Sequence, residues 1–155
     1  MPQLKLVVTV LSFASMLFVS SAIQADQNDT HKTVGGIDIY IGVIPAEVIQ
    51  GRGSNEERRM HGGASSGGKG YHLVVALFDR ESGDRITDSQ VKVRVSVPGW
   101  VDVENRLEPM KVADAVTFGN YFVLSDLTLN WISVQVQRAG KDAVKADFQY
   151  STGRE

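Results

Sequence analysis

The chain contains no cysteine. No disulfide can staple it, so packing alone must hold the fold. Lipid attachment behind a leader, which needs a cysteine thiol, is excluded as well. Neither sign of charge is in excess: 16 Lys and Arg face 18 Asp and Glu, a net charge of −2. Nucleic acid and anionic membrane surfaces therefore have no electrostatic claim on it. Helical periodicity is missing too, and the apolar positions recur with period two or in short runs. Histidine is scarce, at three residues, which leaves little material for acid–base chemistry.

One long apolar run is present, and it lies at the start. "MPQLK" supplies a positive charge, Leu6 to Val19 is almost unbroken hydrocarbon, and "SSAIQA" offers small residues for cleavage. That layout is a secretory signal peptide. Cleavage is expected after Ala25, with Ala22 as the competing site. A membrane-spanning helix wants roughly 20 apolar residues, and Ser12, Ser15, Ser20 and Ser21 interrupt this one. The mature chain is thus expected to be soluble in the periplasm or secreted, with no stable membrane insertion. Its 130 of the 155 residues suit one domain that buries roughly two thirds of its unfolded surface.

The expected organisation is a signal peptide (1–25), a flexible polar tail (26–33) and a single β-sandwich domain (34–155). "GIDIYIGVIPAEVIQG" reads as one or two strands, with Pro45 marking a break or an edge. "YHLVVALFD" is apolar on both faces, as a central strand would be. "VKVRVSV" alternates strictly, as do "NWISVQVQR", with Ile132, Val134 and Val136 inward, and "AVKADFQY", with Val144, Ala146, Phe148 and Tyr150 on one side. "AVTFGNYFVL" carries Gly119 and Asn120 midway, which predicts a tight turn or a bulge. Trp100 and Trp131 read as core or rim packing residues. About seven short strands divided by turns predict an all-β, immunoglobulin-like two-sheet sandwich, with a small barrel as the alternative.

Three chemistries compete for "RRMHGGASSGGKGYHLVVALF" (58–78). Gly63, Gly68 and Lys69 match the phosphate-loop spacing, but Gly70 stands where the magnesium-binding hydroxyl belongs, and a strand rather than a helix follows. Nucleotide binding is not expected. No G-x-S-x-G is present, and nothing assembles a nucleophile with a base, so the chain reads as non-enzymatic. Metal binding has more behind it. Met60, His61, His72 and Met110 are the soft or borderline donors of the domain, with His31 in the tail. Thioether favours Cu(I), and imidazole serves both copper oxidation states. Gly62 and Gly63 permit the backbone turn that Met60 and His61 would need to share an ion. Closing the loop from His61 to His72 costs about 2 kcal/mol. Met110 instead filling a gap in the core, with His72 a hydrogen-bonded residue at the sheet margin, is the competing reading.

The segments "YIGVIPAEVIQG", "MHGG", "HLVVALFDRESGDRITDSQVKVRV", "LEPM" and "FGNYFVL" together resemble small exported bacterial proteins of the YtkA-like and FixH-like kind. The resemblance implies a periplasmic immunoglobulin-like fold and a connection with copper handling or respiratory oxidase assembly. Met60, His61 and Met110 are the positions that would carry a metal. The expected function is copper binding by a soluble periplasmic protein, as a chaperone or buffer, with His72 as a fourth ligand. The alternative is a metal-free module that contacts a periplasmic or membrane-bound protein through sheet edges or the glycine-rich loop.

Overall fold

The structure is a computed structural model and describes residues 29–50, 70–112 and 114–153. The signal peptide, the connection at 51–69, Met60 and His61 lie outside the described residues. Among the described residues are eight strands and one short helix. They are β1 (His31–Val34), β2 (Ile37–Pro45), α1 (Ala46–Gln50), β3 (Gly70–Asp79), β4 (Gln90–Ser96), β5 (Val103–Val112), β6 (Ala115–Val123), β7 (Asn130–Gln137) and β8 (Val144–Tyr150). No helix among them is long and apolar enough to cross a membrane.

The expected all-β architecture is what the chain adopts. The strands run in the order β1-β2-β3-β6-β5-β4-β7-β8, with every neighbour antiparallel. β5 bends this ladder into two layers. Its first half, Val103 to Leu107, pairs with β4, and its second half, Glu108 to Val112, pairs with β6. The outermost strands then meet. The Asp29 amide donates to the Gln149 carbonyl at 3.2 Å, and a side chain on Gly35 would strike Val144 Cγ1 at 2.5 Å. The sandwich is therefore almost closed into a barrel, which leaves little free sheet edge.

The interior follows from strict alternation. Leu73, Val75 and Leu77 of β3, Val91, Val93 and Val95 of β4, and Ile132, Val134 and Val136 of β7 point inward and are buried, as are Ala146 and Phe148 of β8. Phe118 and Phe148 are the largest fully buried side chains. Burying residues of this size stabilises by about 1.5–3 kcal/mol each. Asn130, 0% exposed, fastens the β6–β7 connection. It accepts from the Ser125 amide at 2.7 Å and donates to the carbonyls of Ser125 at 3.0 Å and Tyr150 at 3.1 Å.

Three expectations need correction. The polar tail expected at 26–33 is not loose along its whole length, because His31–Val34 forms β1 on β2. His31 stacks on Tyr40 with ring centres 4.2 Å apart, the Thr33 hydroxyl donates to Asp38, and Val34 packs against the core. Gly119 and Asn120 make neither turn nor bulge, since β6 runs through them with unbroken register against β3. Of the two places expected for Trp100 and Trp131, core or rim, the core is excluded, since they are 51% and 45% exposed.

Candidate metal centre

β6 lies between β3 and β5. Across its two ladders His72 stands opposite Tyr121, Val74 opposite Gly119, Glu108 also opposite Gly119, and Met110 opposite Thr117. Opposed residues of an antiparallel pair project to the same face. Leu73, Val75 and Phe118 take the inner face, so His72, Gly119, Glu108 and Met110 share the outer one. His72 is nevertheless only 2% exposed. The Tyr121 ring lies against it, with centres 4.8 Å apart and planes tilted by 45°.

Gly119 explains the packing. A Cβ at this position would lie 2.5 Å from Met110 Sδ, 2.8 Å from His72 Nε2 and 3.0 Å from His72 Cε1. No side chain fits there without pushing both residues aside. Glycine weakens a strand interior, and its usual reason for being there is close approach of another group. Here two groups approach from opposite sides, so the thioether sulfur and the imidazole Nε2 converge above one backbone position. Imidazole nitrogen and thioether sulfur are both donors that a soft or borderline metal ion accepts.

The structure thus brings together two of the four expected ligands, His72 and Met110, and the other two, Met60 and His61, fall outside the described residues. Sequence reasoning missed Gly119 as the cradle and Glu108 beside it. The available signal was a glycine within an otherwise apolar strand. Among the described residues no three His, Cys, Asp or Glu side chains form a metal-binding group.

The third histidine is engaged elsewhere. His31 Nε2 lies 3.2 Å from Asp38 Oδ1, and Arg80 reaches both oxygens of the same carboxylate, at 3.3 and 3.1 Å. The Thr33 hydroxyl above all, then Arg80 and His31, hold the Asp38 carboxyl below its ordinary value, against the opposing effect of burial. The cluster thus joins a His–Asp contact to a Thr33 hydroxyl that donates to the same carboxylate.

No protein-family model matches the chain, and no curated protein matches it in sequence. Solved structures do match in fold. The copper-reconstituted P19 protein of Campylobacter jejuni superposes with a TM-score of 0.64 at 13% identity, covering 83% of this chain and 96% of that one. A copper-bound variant of FetP from uropathogenic Escherichia coli gives 0.60 at 11% identity, covering 80% and 95%. A DUF4426 family protein of Pseudomonas aeruginosa gives 0.62 at 10% identity, covering 83% and 97%. At these identities the likeness is one of fold. The YtkA-like and FixH-like resemblance finds no support from a family model, and the proteins similar in fold include these three.

Proposed function

We propose that the chain is an exported, periplasmic copper-binding protein that holds Cu(I) between His72 and Met110, as a chaperone or buffer. The observation that carries this reading is the convergence of Met110 Sδ and His72 Nε2 above Gly119. Thioether is a soft, Cu(I)-selective donor and imidazole accompanies it readily. In a chain without cysteine, methionine is the soft donor at hand, and it takes up no proton over the ordinary pH range. The fold-level likeness to two proteins solved with copper supports the choice of metal. Met60 and His61, expected ligands in the segment that precedes β3, would complete the coordination.

Competition titration of the mature protein with Cu(I) against bicinchoninate tests the reading. His72→Ala and Met110→Leu are each expected to weaken binding by roughly tenfold or more, which is about 1.4 kcal/mol. Wild-type affinity in both variants would refute it.

A partner-binding module is the second reading, favoured by one observation. Val101, 88% exposed, and Leu127, 94% exposed, sit in the connections β4–β5 and β6–β7. Both connections lie at one end of the sandwich, because Ser96 at the end of β4 pairs with Trp131 at the start of β7. Clustered apolar exposure marks contact sites. Cross-linking in periplasmic extract should then depend on Val101 and Leu127, and an unchanged pattern in the double serine variant would exclude this reading.

A further inference from the structure

The layer made by β4, β7, β8 and the first half of β5 turns its outer face away from the core, and that face carries a depression of about 410 Å³. Ligand sites typically enclose roughly 300–1,000 Å³. Its lining is ordered in rows by the strand register. Ser96 stands beside Trp131 in one row. The next runs Glu104, Arg94, Ser133, Asp147 across four strands.

Two properties of this face are informative. The first is an indole standing on it: Trp131 occupies an outward position of β7, flanked by the buried Asn130 and Ile132, and is 45% exposed. An outward strand position has no packing need for the largest apolar side chain, and a flat ring there offers a stacking surface. The second is charge cancellation. The lining holds three cations, Lys92, Arg94 and Lys145, and three carboxylates, Asp102, Glu104 and Asp147. Most are already paired. Arg94 donates to Glu104 Oε2 at 2.8 and 3.2 Å, and Lys145 Nζ lies 3.3 Å from Asp147.

A face with no net charge gives neither an anion nor a cation a reason to bind. Nucleotides and polyanions are disfavoured on that ground. The same paired groups still present both donors and acceptors at fixed spacing, with Ser133 and Gln135 between them. A ligand that suits such a face is uncharged, carries many hydroxyls that donate and accept, and has one apolar side for the indole. That description is a sugar ring. We infer that this face is a binding platform for neutral oligosaccharide, with Trp131 stacking on a pyranose and the row from Glu104 to Asp147 bonding its hydroxyls. The platform belongs to the opposite layer from His72 and Met110 and is independent of copper.

The test is a ¹H–¹⁵N NMR titration of the metal-free mature protein with hexa-N-acetylchitohexaose, maltohexaose and cellohexaose. Each is taken to about 10 mM, tenfold above a Kd near 1 mM. At least one is expected to shift the Trp131 indole and the amides of β4, β7 and β8. Trp131→Ala should weaken that binding by roughly tenfold, Trp131→Phe should restore part of it, and Trp100→Ala should bind as wild type. Unchanged thermal unfolding of the Trp131 variants shows that the fold is intact. Absence of shifts with all three sugars, undiminished binding by Trp131→Ala, or shifts produced by trialanine but by none of the sugars would each overturn the proposal.

Discussion

Met110 Sδ and His72 Nε2 belong to strands that are not neighbours, yet both reach the point where a Cβ of Gly119 would sit, at 2.5 and 2.8 Å. β6 carries the gap, and β5 and β3 fill it from either side. Gly119→Ala therefore alters the pair without replacing either donor. Relief of the glycine's backbone freedom would contribute about 0.5–1 kcal/mol, but overpacking costs about 1–3 kcal/mol, so the clash wins. Differential scanning fluorimetry should record a lower Tm, and Cu(I) affinity should fall by roughly tenfold or more.

Asp38 makes the fold sensitive to acid. Its carboxyl is held below the ordinary value chiefly by the Thr33 hydroxyl, with Arg80 and His31 adding to it. A group depressed in the folded state binds protons more readily when unfolded, so its stabilisation is fully present above the ordinary carboxylate value. It is lost as pH falls through the folded one. Asp79, lowered by the backbone amides of Ser82 and Glu81, and Asp147, lowered by the Ser133 hydroxyl, contribute in the same sense. Urea midpoints measured below about pH 4 should decline for the wild type and decline less steeply for Asp38→Asn. The variant should also be less stable at neutral pH.

Asn130 closes the β6–β7 connection through buried backbone groups. Asn130→Ala would strand the Ser125 amide, at about 1–3 kcal/mol for a buried group left unpaired. Chemical denaturation should show that loss. Gln137→Ala, whose amide donates to exposed carbonyls, should stay within about 0.5 kcal/mol of wild type.

Much of the fold is legible in the sequence because burial imposes period two. The alternation in "VKVRVSV" and "NWISVQVQR" marks the inward residues of β4 and β7, all of which are buried. β1 left no such trace. Three of its four residues are polar, and contact with Asp38 and Tyr40, made by the chain turning back through Gly35 and Gly36, orders them. For the same reason eight strands appear where about seven were expected. α1, at five residues, is too short to display a helical period.

The candidate site was legible in residue type but not in arrangement. Methionine and histidine announce soft-metal chemistry wherever they stand, and that singled out Met110 and His72. Which of them meet depends on the order of strands, since β6 comes between β3 and β5 although it follows both in the chain. Gly119 looked like a break in a strand because its reason, two side chains from other strands, is invisible to any local pattern. Trp131 reads as packing from its size, although the alternation that turns Ile132, Val134 and Val136 inward puts it on the outer face.

X-ray absorption at the copper edge of the Cu(I)-loaded protein addresses the central claim most directly. The account predicts sulfur scattering near 2.3 Å together with imidazole scattering, with the sulfur contribution reduced in Met110→Leu and the imidazole contribution reduced in His72→Ala. A spectrum that Met110→Leu and His72→Ala both leave unchanged would contradict it.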